Sequence, residues 1–136
     1  MIFSVDMKPT GKGRPRFTMQ GGRVHTYTPQ QTKDAETLIA SGYLLAGGRR
    51  YDGAVQLGIT AVYKIPKKTS KSKQAEMLMH KIKPQTKPDI DNVVKLVLDA
   101  LNGIAYRDDK QVVSIKCGKI YGESARMIVE VEGECQ

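Results

Sequence analysis

Hydrophobic and polar positions alternate most cleanly over residues 54–65. Val55, Leu57, Ile59, Ala61, Tyr63 and Ile65 fall on one side, with Gln56, Thr60 and Lys64 on the other. A period of two predicts a strand with one buried face, and Pro66 ends it. Two more strands are predicted over 111–121 and 125–133, with Gly122-Glu123-Ser124 as the turn. Val113, Ile115 and Cys117 share a face of the first; Ala125, Met127, Val129 and Val131 share one in the second. Residues 2–7 read as a short strand. The runs 16–20 and 23–27 meet at Gly21-Gly22, a hairpin signal.

The helical period appears in two long stretches. Thr28-Pro29-Gln30-Gln31 supplies an N-cap, a proline for the first turn and a capping-box Gln, predicting a helix over 29–45 that Gly47-Gly48 ends. Its buried side should hold Ala35, Leu38, Ile39 and Leu45. Over 91–102, at about 100° per residue from Asp91, the apolar Val93, Val94, Leu96, Val97, Leu98, Ala100 and Leu101 fill about 140–340°. Asp91, Asn92, Lys95, Asp99 and Asn102 occupy the remaining strip, so the helix should be deeply packed with one polar side open. Residues 67–74 read as a loop and 75–82 as a short helix. These elements predict a single α+β domain over 1–136, with a mixed sheet of four to five strands and two main helices.

With no Trp and only two Phe, the core must rest on Val, Ile, Leu, Met and Tyr. Cys117 and Cys135 match no metal-ligand spacing, and the simplest expectation is a reduced, cytoplasmic protein in which Cys117 is a small packed residue. No apolar run approaches the roughly 18 residues of a membrane span. The N-terminus lacks the order of a signal peptide, and no membrane partner is expected.

Charge changes the picture. Residues 8–23 carry Lys8, Lys12, Arg14, Arg16 and Arg23 with no acid, and 64–87 carry eight lysines against Glu76. Together they hold twelve net positive charges in a chain of net +8, so everything else is net −4. Such clusters are either a solvated surface or a footprint for a phosphate backbone. The DNA-binding candidates are Lys8, Lys12, Arg14, Arg16, Lys67, Lys68, Lys71 and Lys73. The loop Gly11-Lys12-Gly13-Arg14-Pro15-Arg16 lacks the Gly-Lys-Ser/Thr ending of a P-loop, so no nucleotide cofactor is expected.

Within this basic chain the acids gather at the ends of the 91–102 helix: Asp89 and Asp91 before it, Asp108 and Asp109 after it. In one reading Asp89 and Asp91 are helix caps and Asp99 pairs with Lys95. In the other, Asp89, Asp91 and Asp109 meet across the helix and its return loop to hold Mg²⁺, or Mn²⁺ in its place, because hard carboxylate oxygens suit these ions and not Zn²⁺. Lys95, one turn along, could then contact a phosphate, hold the attacking water or steady the carboxylates. His25 and His80 have no partners at ligand spacing.

Pro88-Asp89-Ile90-Asp91-Asn92, then Lys95, Asp99-Ala100-Leu101-Asn102, Asp108-Asp109 and Gln111-Val112 resemble the RusA family of Holliday junction resolvases of bacteria and their phages. Gly11 to Arg16 also resembles that family's basic N-terminal loop. The resemblance implies a homodimeric, Mg²⁺-dependent endonuclease that nicks two symmetry-related strands of a four-way DNA junction. Asp89, Asp91 and Asp109 match its catalytic aspartates and Lys95 its essential lysine; Asp99, Asp108 and Gln111 match further motif positions. The dimer interface is sought on the exposed faces of the C-terminal strands. Nucleases of other branched DNA and non-catalytic basic DNA-binding proteins are the alternatives.

Overall fold

The computed structural model describes residues 1–134, so Cys135 lies outside the described residues. In chain order come β1 (Ile2–Val5), β2 (Arg16–Gln20), β3 (Arg23–Tyr27), α1 (Gln30–Leu45), β4 (Val55–Lys64), α2 (Lys71–Leu78) and α3 (Ile90–Leu101). A 3-10 turn (Asp109–Gln111), β5 (Val112–Gly122) and β6 (Arg126–Gly133) complete it. One mixed sheet has the order β1-β6-β4-β5, with β5 parallel to β4 and the other pairs antiparallel. β2 and β3 form a separate hairpin. The fold is α+β, with α1 and α3 as the two main helices and α2 as the short one.

α1 and α3 cover one sheet face. Val55, Leu57, Ile59 and Ala61 of β4 and Met127, Val129 and Val131 of β6 share a core with Ile39 and Tyr43 of α1 and with Val93, Leu96, Val97 and Leu101 of α3. Burying each Val or Leu contributes about 1.5–3 kcal/mol, whereas a helix cap contributes about 1 kcal/mol. α3 is therefore held by its apolar back, and its N-terminal acids are not required as caps.

Several local expectations change. Pro29, not Thr28, takes the N-cap position of α1, and its carbonyl accepts from the Thr32 and Lys33 N–H groups. The helix buries Thr32, Ala35, Ile39 and Tyr43 and turns Leu38 and Leu45 to solvent. At its end Gly47 adopts φ +85°, which lets Gly47 N–H reach Leu44 O and Gly48 N–H reach Tyr43 O. α2 starts inside the lysine-rich run because Ser70 caps it. It stops at Leu78, beyond which His80 sits in the left-handed region at φ +61°.

The largest difference concerns the C-terminal strands. β5 and β6 are not a hairpin, because β4 lies between them. Lys64 of β4 pairs with Gly122 and Val62 with Arg126, so the connection steps across the end of β4. β5 becomes an edge strand with one neighbour, leaving Val113 and Ile115 exposed instead of buried. Cys117 is half-buried, and burial raises its thiol pKa, which suits a neutral packed residue.

Candidate active site

Asp89 occupies the N-cap position of α3, yet its carboxylate makes no capping hydrogen bond. Asp91 lies in the first turn, with Lys95 and Asp99 following on the same exposed strip. Among the described residues, the side chains of Asp89, Asp91 and Lys95 form no hydrogen bond or ion pair. The segment entering the helix is fastened from the sheet. The Tyr63 hydroxyl donates to Pro88 O at 3.4 Å, and Lys119 Nζ donates to Thr86 O at 2.9 Å, with the same ammonium 5.6 Å from the Tyr63 ring centre. The Lys87–Pro88 peptide is cis. Burial, with Cys117 and Asp89 nearby, raises the Tyr63 phenol pKa.

The basic N-terminal loop lies directly on this helix start. The Lys12 N–H donates to Asn92 O at 2.8 Å. A Cβ on Gly11 would come within 2.9 Å of both Asn92 Cβ and Pro88 Cβ, so only glycine permits that approach. Gly13 N–H donates to the buried Thr32 Oγ1 at 3.1 Å, tying the loop to α1. Lys12 Nζ lies 2.6 Å from Glu36 Oε1 and 3.0 Å from Asp99 Oδ2. Burial acts to lower its pKa, but the two carboxylates outweigh that and hold it above the ordinary value. Lys12, expected as a DNA contact, thus joins α1 to α3, and Asp99 pairs with it rather than with Lys95. Beside this junction runs an open cleft of about 510 Å³ whose cationic lining is Lys8, Arg14, Arg16 and Lys87, and which also reaches Pro88.

The second acidic pair is built by the 3-10 turn. Asp108 caps it, accepting from Lys110 N–H at 3.0 Å. The Gln111 amide oxygen accepts from the N–H groups of Arg107 (2.8 Å) and Asp108 (3.3 Å), while its NH₂ donates to Tyr51 O and Gly53 O, each at 3.0 Å. This fastens the turn to the segment before β4. A hydrogen bond that the Asp109 carboxyl donates to the Asp108 carboxylate raises Asp109, and burial and the charges of Asp108 and Asp99 act the same way; the Lys110 N–H and the shared bond hold Asp108 low. Tyr106 is buried behind them and donates to Leu98 O at 2.7 Å; burial first, then Asp109 and Asp99, raises its pKa.

Asp89, Asp91 and Asp109 do not stand as a finished cluster. Among the described residues, no group of three or more His, Cys, Asp or Glu side chains is placed to hold a metal ion. Asp109 feels the charge of Asp99, which lies eight residues, or about 12 Å along the axis, from Asp91. Like charges also gain nothing by gathering without a cation between them. Lys67, Lys68, Lys71 and Lys73 are exposed on α2 and the turn before it. That helix lies beside Val62 and Ile120 at the end of the sheet, and none of the four lines the cleft. Sequence reasoning passed over the supporting roles of Tyr63, Tyr106 and Lys119, whose partners are remote in sequence.

A cationic cleft that reaches Pro88, one residue before the exposed and uncommitted Asp89, suits a polyanion and its hydrolysis, the chemistry of nucleases. Residues 6–132 match the family described as Endodeoxyribonuclease RusA, and the chain belongs to that family. It is also 37% identical over 135 residues to the uncharacterized protein YqaN of Bacillus subtilis (strain 168), an alignment spanning 95% of this chain and 93% of that protein.

Proposed function

We propose that this chain resolves four-way (Holliday) DNA junctions as a homodimer, by paired, divalent-metal-dependent hydrolysis of phosphodiesters in the cytoplasm. The observation that carries the reading is the juxtaposition at the start of α3. Asp89, Asp91 and Lys95 are exposed and uncommitted on a helix whose start packs against Gly11, part of the lining of the cleft of Lys8, Arg14, Arg16 and Lys87. The cleft seats a DNA backbone by charge, and Lys95 faces the phosphate or the carboxylates. Asp89, Asp91 and Asp109 supply hard oxygens for Mg²⁺, with Mn²⁺ as substitute. Asp89 and Asp91 can turn towards an ion because no cap or ion pair holds them. The bound ion would supply charge neutralisation and an activated water. A two-fold dimer suits a branch point whose productive resolution needs two cuts.

A non-catalytic DNA-binding reading draws support from Asp108, which is a genuine cap, and from the lack of a finished carboxylate cluster. Cutting of a mobile junction, a fork and a linear duplex in Mg²⁺ tests both. The expected result is paired nicking of the junction, abolished in Asp91→Asn and Asp109→Asn with junction binding and circular dichroism retained. Equal cutting of the linear duplex would sink the junction reading, and no cutting of any substrate would favour the non-catalytic one. Junction affinity should also fall steeply with salt as phosphate counterions are released.

A further inference from the structure

The β2–β3 hairpin is not part of the body of the fold. Its two strands pair with each other, and neither packs substantially on another helix or strand. Gly21 and Gly22 close it with φ of +58° and +77°, the two-residue turn that matches strand twist. Its register sorts the side chains into two unlike faces. Phe17 pairs with Thr26 and Met19 with Val24, making an apolar face; Arg16 pairs with Tyr27, Thr18 with His25 and Gln20 with Arg23, making a cationic one. Phe17, Met19 and Val24 are 71%, 66% and 63% exposed, so the apolar face is uncovered in the monomer.

Both ends of the hairpin stand on the rim of the basic cleft. Arg14, Pro15 and Arg16 line it at the entry to β2, and Pro29 lines it just past β3. Lys87 and Pro88, the latter one residue from Asp89, line the same cleft. No acid occurs between Asp6 and Asp34, so hairpin and rim present only positive charge. A ribbon with a cationic face, an aromatic and two flexible or branched apolar side chains on the other, rooted beside a phosphate groove, has the chemistry of an element that meets nucleobases. Cations hold the backbone while apolar groups cover π-faces or enter a base step.

We infer that the hairpin is a second DNA-contact site, whose Phe17, Met19 and Val24 cover the unstacked bases at a branch point while the cleft holds the adjoining backbone. The inference rests on the reading of the chain as a DNA endonuclease. It gives a reason for the exposed apolar face that the cleft and the carboxylates do not supply. A linear duplex, whose bases are stacked, offers that face no surface, so the hairpin discriminates branched from linear DNA.

The test uses the full chain in EDTA, a four-way junction carrying 2-aminopurine at its centre, and a linear duplex of the same sequence. Wild type should raise the 2-aminopurine fluorescence. Phe17→Ser/Met19→Ser should lose that rise and bind the junction about tenfold to a hundredfold more weakly, with linear-duplex affinity changed less than about threefold. Phe17→Leu, which keeps the apolar character, should fall between them if the double variant misfolds by circular dichroism. Wild-type junction affinity and fluorescence in both variants would overturn the assignment alone. A wild type that binds neither DNA would overturn the endonuclease reading with it. A change of mass by light scattering in the double variant would make the face an interface between copies. Loss only of binding to anionic phosphatidylserine vesicles would make it a membrane contact.

Discussion

Replacing Gln111 by alanine isolates the contribution of one side chain to the acidic turn. Gln111 makes four hydrogen bonds, two accepted from Arg107 and Asp108 and two donated to Tyr51 O and Gly53 O. Each bond contributes about 0.5–1.5 kcal/mol net. The exposed Arg107 and Asp108 amides can turn to water in the variant and belong at the low end; the Tyr51 and Gly53 carbonyls are partly buried and belong higher. The expected loss is about 2–4 kcal/mol, or a Tm lower by about 6–14 °C for a chain of this size. Gln111→Glu keeps the two acceptor bonds but turns a carboxylate towards two carbonyl oxygens, so it should melt no higher than the alanine variant. Calorimetry on both reads the effect. Junction cleavage measured well below either Tm should fall further than the folded fraction, because the turn carries Asp109. A Gln111→Ala Tm within about 1 °C of wild type, or a Glu variant more stable than the Ala one, would refute the argument.

Gly11→Ala should cost about 1–3 kcal/mol by overpacking against Pro88 and Asn92 and weaken DNA binding as the loop lifts from α3; unchanged melting would show that the approach is loose. His80→Gly should raise Tm by a few degrees, since a left-handed His is strained by about 1 kcal/mol where Gly is not; a lower Tm would contradict this. Side-chain carboxyl NMR should place the Asp109 midpoint above the ordinary Asp value of about 3.9 and Asp108 below it. The signs are opposite: the stability from Asp109 is present below its unfolded pKa and lost as pH rises through its raised one, while that from Asp108 is present above its unfolded pKa and lost as pH falls through its lowered one. The reverse order of midpoints would refute the shared hydrogen bond. Lys12→Met should lower stability by separating α1 from α3 while leaving the slope of junction affinity against salt nearly unchanged, because its charge is committed to Glu36 and Asp99; a slope lowered by about one would make it a phosphate contact.

α3 was legible from sequence because two local signals agree there, a wide apolar arc and acids at the boundaries, and five of its predicted apolar residues are buried. The hairpin was legible from Gly21-Gly22 for the same reason. What the periodicity could not carry was pairing at a distance. Lys12 finds Glu36 24 residues away, and Gln111 finds Tyr51 60 residues away. Alternation in β5 suggested a buried face, but whether a strand is central or at an edge depends on which neighbour arrives, and here β4 separates β5 from β6. The convergence expected of Asp89, Asp91 and Asp109 likewise depended on where the return loop lands, and its charge lands near Asp99.

The parallel pairing of β4 with β5 has a consequence for the order of events during synthesis. Asp89, Asp91, Lys95, Asp109 and Gln111 all lie in the crossover between these strands. Parallel pairing across so long a connection is among the slower steps of folding. The cationic loop and hairpin leave the ribosome first, whereas the acidic turn is fastened only after the segment before β4 and the start of β5 have met. A nascent chain therefore carries its basic loop and hairpin before the acidic turn has the partners that fasten it.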